Sequence, residues 1–90
     1  NKKVLICGLS YKKNVADLRN SLSLKIFNSL KAKNIKGYDP LIETNTAKKN
    51  GLVTSKKDFL NFDIYIILTN HSILEKQIKN LKNKIIIKPI

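Results

Sequence analysis

The chain has 90 residues, 42% of them hydrophobic, so it can bury one core and is too apolar to be a disordered tail. Its net charge of +12 comes from lysines spread over nearly every segment, with a single arginine, which favours a solvated surface over a nucleic-acid face. The lone cysteine excludes an internal disulfide and a cysteine-based zinc cluster, and every apolar run is too short to cross a bilayer.

The first part of the chain alternates between strand-like and helix-like segments. Residues 3–9, "KVLICGL", are a continuous apolar run around a glycine, as expected of a buried parallel strand. A helix is predicted next, and its apolar stripe consists of Leu22, Ile26 and Leu30, with Leu24 and Phe27 beside them. Residues 35–40, "IKGYDP", predict a second, short strand that ends where the proline removes a backbone donor.

The second part of the chain repeats this alternation. Residues 52–54, "LVT", predict a brief edge strand, and "SKKD" at 55–58 has the form of a capping box that starts one helical turn. Residues 63–71, "DIYIILTNH", are the most strand-like run, and their apolarity predicts burial on both faces. "SILE" at 72–75 is a second capping box that opens a helix, and "KIIIK" at 84–88 predicts the last strand.

Strands that alternate with helices predict a parallel sheet with right-handed crossovers. We therefore expect an α/β fold in one domain, residues 1–90: a Rossmann-like, three-layer, doubly wound parallel sheet of about five strands in the order 3-2-1-4-5. Ligands of such sheets bind outside the carboxyl ends of the strands, near the switch between strands 1 and 4. The loops at that switch are residues 8–21 and 69–72, which makes them the candidate ligand edge.

The loop after the first strand, "CGLSYKKNVADLRNS", contains one glycine where a dinucleotide-binding fingerprint needs several. On its own the chain is therefore expected to bind a dinucleotide poorly. The loop instead offers side chains that suit an anion: Tyr11, Lys12 and Arg19, with Asp17 as an internal acid. The residues alone leave two alternatives open, an anion site or a turn in which Asp17 caps the next helix and the cations are solvated.

The other candidate site residues are His71, Asp39 and Cys7. His71 follows the fourth predicted strand and has no carboxylate close in sequence, which favours a structural loop histidine over a general base. Asp39 is interpreted mainly as part of a strand exit. Cys7 lies in an apolar run with nothing nearby to stabilise a thiolate, so we expect a buried thiol and no nucleophile.

The long loop and the short strand after it resemble a known family. "GLSYKKNVADLRNS", a helix and then "GYDP" are similar to the C-terminal domain of the UDP-glucose/GDP-mannose dehydrogenase family, whose pattern is roughly G-x-[AS]-[YF]-K-x-x-[TV]-x-D-x-R-x-S followed by Y-D-P. The matching residues are Gly8, Ser10, Tyr11, Lys12, Val15, Asp17, Arg19, Ser21, Tyr38, Asp39 and Pro40. "ILTNH", residues 67–71, looks like the same family's strand exit. The likeness covers nearly the whole chain, and the loop is more similar to members that act on UDP-N-acetylhexosamines.

This resemblance implies an activity and its partners. The family oxidises the C6 alcohol of a nucleotide-diphosphate sugar to a carboxylate in two NAD-dependent steps, through a thiohemiacetal on a cysteine. NAD is held mainly by an N-terminal domain, and a central helical region carries the cysteine and builds the homodimer. The expected partners of this chain are therefore a UDP-sugar and the rest of the same polypeptide, and neither nucleic acid nor a membrane is expected.

The resemblance also assigns roles to single residues. Tyr11 and Lys12 match the aromatic-lysine pair that contacts the nucleotide sugar, and Arg19 matches the arginine that reaches NAD in the closed enzyme. Asp17 is expected to orient Arg19 or Lys12. Cys7 does not match the catalytic cysteine, so the isolated chain is expected to have no catalytic residue, to bind no metal and to be inactive.

Two further expectations concern the context of the chain. It contains no methionine and begins with asparagine, so we expect a domain excised from a longer protein. The resemblance implies that this longer protein is a cytoplasmic enzyme of surface polysaccharide synthesis. The alternative from another class is a basic Rossmann-like binding module for nucleic acid or an acidic partner, based on the +12 charge.

Overall fold

The computed structural model describes residues 2–89 as one parallel sheet of four strands with helices on both faces. The strands are β1 (Val4–Cys7), β2 (Ile35–Tyr38), β3 (Ile64–Ile67) and β4 (Ile85–Ile87). They lie in the order β2-β1-β3-β4, and each neighbouring pair is parallel. The first strand is therefore central, and the loop that follows it emerges between the ends of β2 and β3.

The helices are α1 (Leu22–Leu30), α2 (Thr44–Lys49), α3 (Lys56–Phe59) and α4 (Ser72–Lys79). Phe27 of α1 and Ala47 of α2 pack with Ile6 on one face of the sheet. Phe59 of α3 and Leu74 of α4 pack on the other. The three-layer α/β architecture expected from the sequence is thus present, and no helix within residues 2–89 is long and apolar enough to span a membrane.

The prediction of five strands is wrong at residues 52–54. Leu52 forms a single parallel bridge with Gly37, and the amide of Val53 donates to the Gly37 carbonyl at 2.8 Å. Directly afterwards Ser55 caps α3, so the chain leaves the sheet edge before a ladder can form. The predicted order 3-2-1-4-5 is therefore found without predicted strand 3, as β2-β1-β3-β4.

The predicted apolar stripe of α1 is also wrong. Leu22 and Leu30 are 71% and 50% exposed, whereas Phe27 is buried and Leu24 packs beside it. The cap sets the rotation of this helix, because the Ser21 hydroxyl donates to the Leu9 carbonyl at 2.5 Å and accepts from the amide of Leu24 at 3.0 Å. The exposed leucines consequently face away from the core.

The α1 face of the sheet is only partly covered at β4. Ile85 and Ile87 pair in register with Ile64 and Ile66 of β3, so these four side chains point to the same face. Ile85 and Ile87 are 54% and 42% exposed, and the two β3 residues are half-buried. Contiguous exposed apolar surface of this kind commonly marks a contact area.

Removing the cap of α1 tests its link to β1. We expect Ser21→Ala to lower the free energy of unfolding by about 1–2 kcal/mol, because a buried hydroxyl loses both its acceptor and its donor bond. Ser55→Ala is the matched control, since Ser55 caps α3 through the amide of Asp58 but is exposed, and about 0.5–1 kcal/mol is expected. Urea unfolding of both variants measures the difference, and equal costs would contradict the added role of Ser21.

Candidate functional site

The candidate site is built where the ends of β1, β2 and β3 meet. The Gly8 amide donates to the Tyr38 carbonyl at 2.9 Å, and the Thr69 amide donates to the Gly8 carbonyl at 3.0 Å. Gly8 has φ +79°, a left-handed conformation that lets the chain turn sharply out of the sheet. Residues 9–21 therefore begin between the two neighbouring strand ends, at the predicted ligand edge.

Two of the predicted site residues lie on the outer part of this loop. Tyr11 is 54% exposed, and the Lys12 ammonium lies 6.0 Å from the centroid of its ring. Within residues 2–89, Lys12 takes part in no salt bridge. An aromatic ring and an ammonium group are thus presented together to solvent, an arrangement that suits an anionic ligand with a planar group.

Asp17 and Arg19 form a forked ion pair on the same loop. Nε and Nη2 of Arg19 donate to the two carboxylate oxygens of Asp17 at 3.1 and 3.0 Å, and the Arg19 amide donates to Oδ1 at 2.9 Å. The bonds from the Arg19 side chain lower the pKa of Asp17, and the same pair raises the pKa of Arg19. Asp17 therefore orients Arg19, one of the two partners considered from the sequence.

The structure brings the loop residues together around a shallow depression. Its volume is about 380 Å³, and its lining consists of Tyr11, Asp17, Arg19 and Asn20. The amide of Tyr11 donates to the Asp17 carbonyl at 2.6 Å, which joins the two halves of the loop. Lys12 lies next to the depression, because its ammonium group is 6.0 Å from the centroid of the Tyr11 ring. The Arg19 side chain is 88% exposed, so its guanidinium is accessible from outside the chain.

Beneath the loop lies a buried polar cluster that sequence reasoning did not assemble. His71 Nε2 lies 2.9 Å from Oδ2 of Asp39 and 2.9 Å from Oγ of Ser10. The side chains of His71 and Asp39 are fully buried, and Ser10 is 0% exposed. The missing carboxylate partner of His71 is thus 32 residues away in sequence. The signal was available in principle, since Asp39 and His71 follow the strands on either side of β1.

This cluster cannot act as a hydrolytic triad. Such a triad needs the nucleophile and the carboxylate on opposite ring nitrogens, whereas Ser10 and Asp39 share Nε2 of His71. The other nitrogen, Nδ1, accepts from the backbone amide of Asn14 at 2.8 Å. The Ser10 hydroxyl itself lies 3.3 Å from the Lys12 carbonyl, to which it donates. These groups hold the loop and do not activate a nucleophile.

The contacts of Asp39 also explain why the start of this loop does not suit a dinucleotide. Backbone amides just after the first strand bind pyrophosphate in dinucleotide-binding folds. Here the amides of Leu9 and Ser10 donate to Oδ2 of Asp39 at 2.8 and 2.9 Å. At Gly8 an added Cβ would lie 1.9 Å from the Thr69 carbonyl oxygen, so the turn is closely packed. The residues at the start of this loop therefore do not fit a pyrophosphate group.

Cys7 lies behind this cluster at the end of β1. It is 0% exposed, and burial raises the pKa of its thiol, with the charge of Asp39 acting in the same direction. Its Sγ lies 3.8 Å from the Leu5 carbonyl oxygen. A neutral buried thiol is a core residue and a poor nucleophile. No group of three or more metal-ligating side chains is found in the part of the chain that the structure describes.

Comparison with known proteins identifies the class. The family model for the UDP binding domain of the UDP-glucose/GDP-mannose dehydrogenase family matches residues 5–90, so this chain belongs to that family. Among curated proteins it is similar to a UDP-N-acetyl-D-mannosamine dehydrogenase of Methanococcus vannielii. The two are 37% identical over an alignment 95 positions long, which covers 94% of this chain and 22% of the relative.

Two solved structures share the fold. A UDP-N-acetyl-mannosamine dehydrogenase from S. aureus matches 96% of this chain with a TM-score of 0.65 and 23% identity. A UDP-D-ManNAc dehydrogenase from Pyrococcus horikoshii matches 94% with a TM-score of 0.63 and 27% identity. The alignment covers 21% of each of those chains, so this chain spans about a fifth of the length of the relatives it matches.

Proposed function

We propose that this chain is the UDP-sugar-binding domain of an NAD-dependent nucleotide-sugar 6-dehydrogenase that oxidises a C6 alcohol to a uronic acid for surface polysaccharide synthesis. The match of residues 5–90 to the UDP binding domain of the family carries this proposal. The sugar we propose is a UDP-N-acetylhexosamine, because the three relatives described above are named for UDP-N-acetylmannosamine. The proposed compartment is the cytoplasm.

The geometry of the loop supports the assignment of substrate contacts. We assign Lys12 to the diphosphate, because an exposed ammonium on a mobile stem suits a doubly charged group. Tyr11 lies beside it and offers a ring face and a hydroxyl to the nucleotide. Both residues follow Ser10, which is buried and hydrogen-bonded to His71, so the backbone just before them is held in place.

Arg19 is assigned to the cofactor that the rest of the polypeptide would hold. NAD held there would supply the hydride acceptor for oxidation of the C6 carbon. The role of this chain is to present the Arg19 guanidinium in an orientation that the forked pair with Asp17 holds. Two of the five guanidinium N–H groups bind Asp17, so the same side chain retains donors for a phosphate or a ribose. A preoriented arginine loses less freedom when it binds an anion.

The rest of the polypeptide is the proposed occupant of the exposed face around Ile85 and Ile87. The relatives are four to five times longer than the aligned region, so a dehydrogenase of this family has other parts that can cover such a face. The net charge of +12 disfavours contact between two copies of this chain alone. We place the homodimer contact in those other parts as well.

The direct test is binding of UDP to the chain, measured by calorimetry and compared with ADP at the same ionic strength. Binding of UDP in preference to ADP is expected, and absence of UDP binding would overturn the proposal. The chain mixed with a UDP-sugar and NAD is expected to form no NADH, since its one cysteine is buried. Turnover by the chain alone would contradict its assignment as a binding domain.

Lys12 provides the sharper test of the contact itself. We expect Lys12→Ala to weaken UDP binding by about tenfold, because a charge-assisted bond to phosphate is lost. Lys13→Ala is the matched control, since it removes the same charge from the adjacent exposed position and is expected to leave the affinity nearly unchanged. Equal losses in the two variants would show a general effect of charge and would contradict a specific contact of Lys12.

A further inference from the structure

Asn14 is tied to the other side of the ligand edge by three hydrogen bonds. Its backbone amide donates to Nδ1 of His71 at 2.8 Å, and its side-chain Nδ2 donates to Oγ of Ser72 at 3.1 Å. In return, its Oδ1 accepts from the amide of Ser72 at 2.9 Å. Asn14 has φ +62°, a conformation that asparagine adopts more readily than most residues. These bonds join positions that are 57 and 58 residues apart in sequence.

The bond to His71 fixes the state of its ring. A backbone amide can only donate, so Nδ1 must be an unprotonated acceptor, and the proton of the neutral imidazole is assigned to Nε2. That proton is directed at Asp39 Oδ2 and Ser10 Oγ, both at 2.9 Å. Each ring nitrogen of a fully buried side chain therefore has a partner that matches it. The opposite tautomer would set an N–H against the amide of Asn14.

The side chain of Asn14 caps the N-terminus of α4 in place of the helix's own N-cap residue. His71 occupies the N-cap position of α4, and its side chain makes no capping bond. The first free amide of the helix, that of Ser72, is satisfied by Asn14 from the loop instead. The loop and the start of α4 therefore hold each other.

We propose that Asn14 and His71 form a latch that positions the substrate loop, residues 11–20, for nucleotide-sugar binding; this inference rests on the proposed function. The latch lies directly after Tyr11 and Lys12, and Ser10 anchors the same stretch from the other end. Through the bond from the Tyr11 amide to the Asp17 carbonyl it also sets the position of the Asp17–Arg19 pair. Asn14 and His71 are positioning residues, because they act on the ligand through the loop.

Two substitutions of His71 separate the contacts of its two ring nitrogens. His71→Asn keeps an acceptor near the position of Nδ1 and loses the donor that faces Asp39 and Ser10, whereas His71→Gln keeps a donor near Nε2 and loses the acceptor for Asn14. Both are expected to destabilise the fold. If the latch positions the loop, His71→Asn retains UDP affinity within about threefold of the wild type, and His71→Gln loses about tenfold. Losses of affinity that follow the losses of stability, irrespective of which contact is kept, would overturn the proposal.

Asn14→Gly tests the side-chain half of the latch. Glycine keeps the left-handed backbone and the amide bond to His71 but removes both bonds to Ser72. Asn83→Gly is the matched control, because Asn83 also has φ +62° and lies between α4 and β4. We expect Asn14→Gly to weaken UDP binding by about three- to tenfold and Asn83→Gly to leave it unchanged. Equal affinities of the two variants would contradict the role of Asn14.

Two measurements on the ligand-free chain keep the latch testable even if UDP does not bind. Nitrogen NMR of the imidazole of the wild-type chain is expected to show the Nε2–H tautomer of His71, and the Nδ1–H tautomer would overturn the proposal. Hydrogen exchange of the amides in residues 11–20 is expected to be faster in His71→Gln than in His71→Asn. Equal exchange in the two variants would also overturn it. A chain that passes both tests but binds no UDP would leave the latch intact and remove the proposed function.

Discussion

Gly8→Ala is expected to lower the free energy of unfolding by about 3–5 kcal/mol, more than alanine at either of the other two glycines. An added Cβ would lie 1.9 Å from the carbonyl oxygen and 2.7 Å from the carbonyl carbon of Thr69. These atoms belong to the backbone, so they cannot move without breaking the bond between the Thr69 amide and the Gly8 carbonyl. Domains of this size are stabilised by only about 5–13 kcal/mol, so a substantial unfolded population is expected.

Gly51→Ala is the matched control for this substitution. Gly51 also has a left-handed φ, +69°, but nothing lies within 4 Å of its added Cβ. Its substitution therefore costs the backbone preference alone, about 1 kcal/mol. The difference between the two variants in urea unfolding measures the steric contact at the ligand edge. Equal costs would show that β1 and β3 can separate at Gly8 without penalty.

The regular elements near the core could be predicted because their signals are local. The apolar runs of β1, β3 and β4 are continuous, and Ser55 precedes its helix in the form of a capping box. The predicted strand at residues 52–54 is wrong because three strand-like residues do not show whether a ladder of hydrogen bonds can extend. The predicted apolar stripe of α1 is wrong because helical spacing fits more than one rotation of the helix, and the contact of Ser21 with Leu9 selects one rotation.

The residues of the candidate site also differ in whether a local sequence signal identifies them. Tyr11, Lys12, Asp17 and Arg19 lie within nine residues, so one motif was enough to bring them forward as candidates. The cluster beneath them joins residues from three strand ends, and only the order of the strands shows that they meet. Asn14 carried no signal in the sequence, because the pattern quoted above specifies no residue at its position and its partners are more than 50 residues away.

Asp39 is the residue of that cluster whose loss should cost most. We expect Asp39→Ala to lower the free energy of unfolding by about 3–5 kcal/mol. The carboxylate accepts from the amides of Leu9 and Ser10 and from His71 Nε2 through one oxygen, and from the amide of Leu41 at 2.9 Å through the other. Alanine would leave these donors without a partner at a site where Asp39 is 4% exposed.

Asp39→Asn measures how much stability is lost when the side chain keeps its shape but has one acceptor oxygen fewer. With its oxygen at the place of Oδ2, asparagine can keep the three donors on that side, but its NH₂ group then meets the amide of Leu41. We therefore expect an intermediate cost of about 1–3 kcal/mol. Asp58→Ala is the control, since it removes the same charge from an exposed position in α3 and should change stability by less than about 1 kcal/mol.

Urea unfolding measures these three costs, and hydrogen exchange of Asp39→Ala separates two possible roles of Asp39 at the end of β2. If Asp39 organises the ligand edge, Asp39→Ala also releases the amides of Leu9 and Ser10, and their hydrogen exchange rises more than that of β4. If Asp39 is only the end of a strand, the exchange of the two amides and of β4 rises together. The second outcome would remove the argument that this carboxylate takes the place of a bound phosphate at the start of the loop.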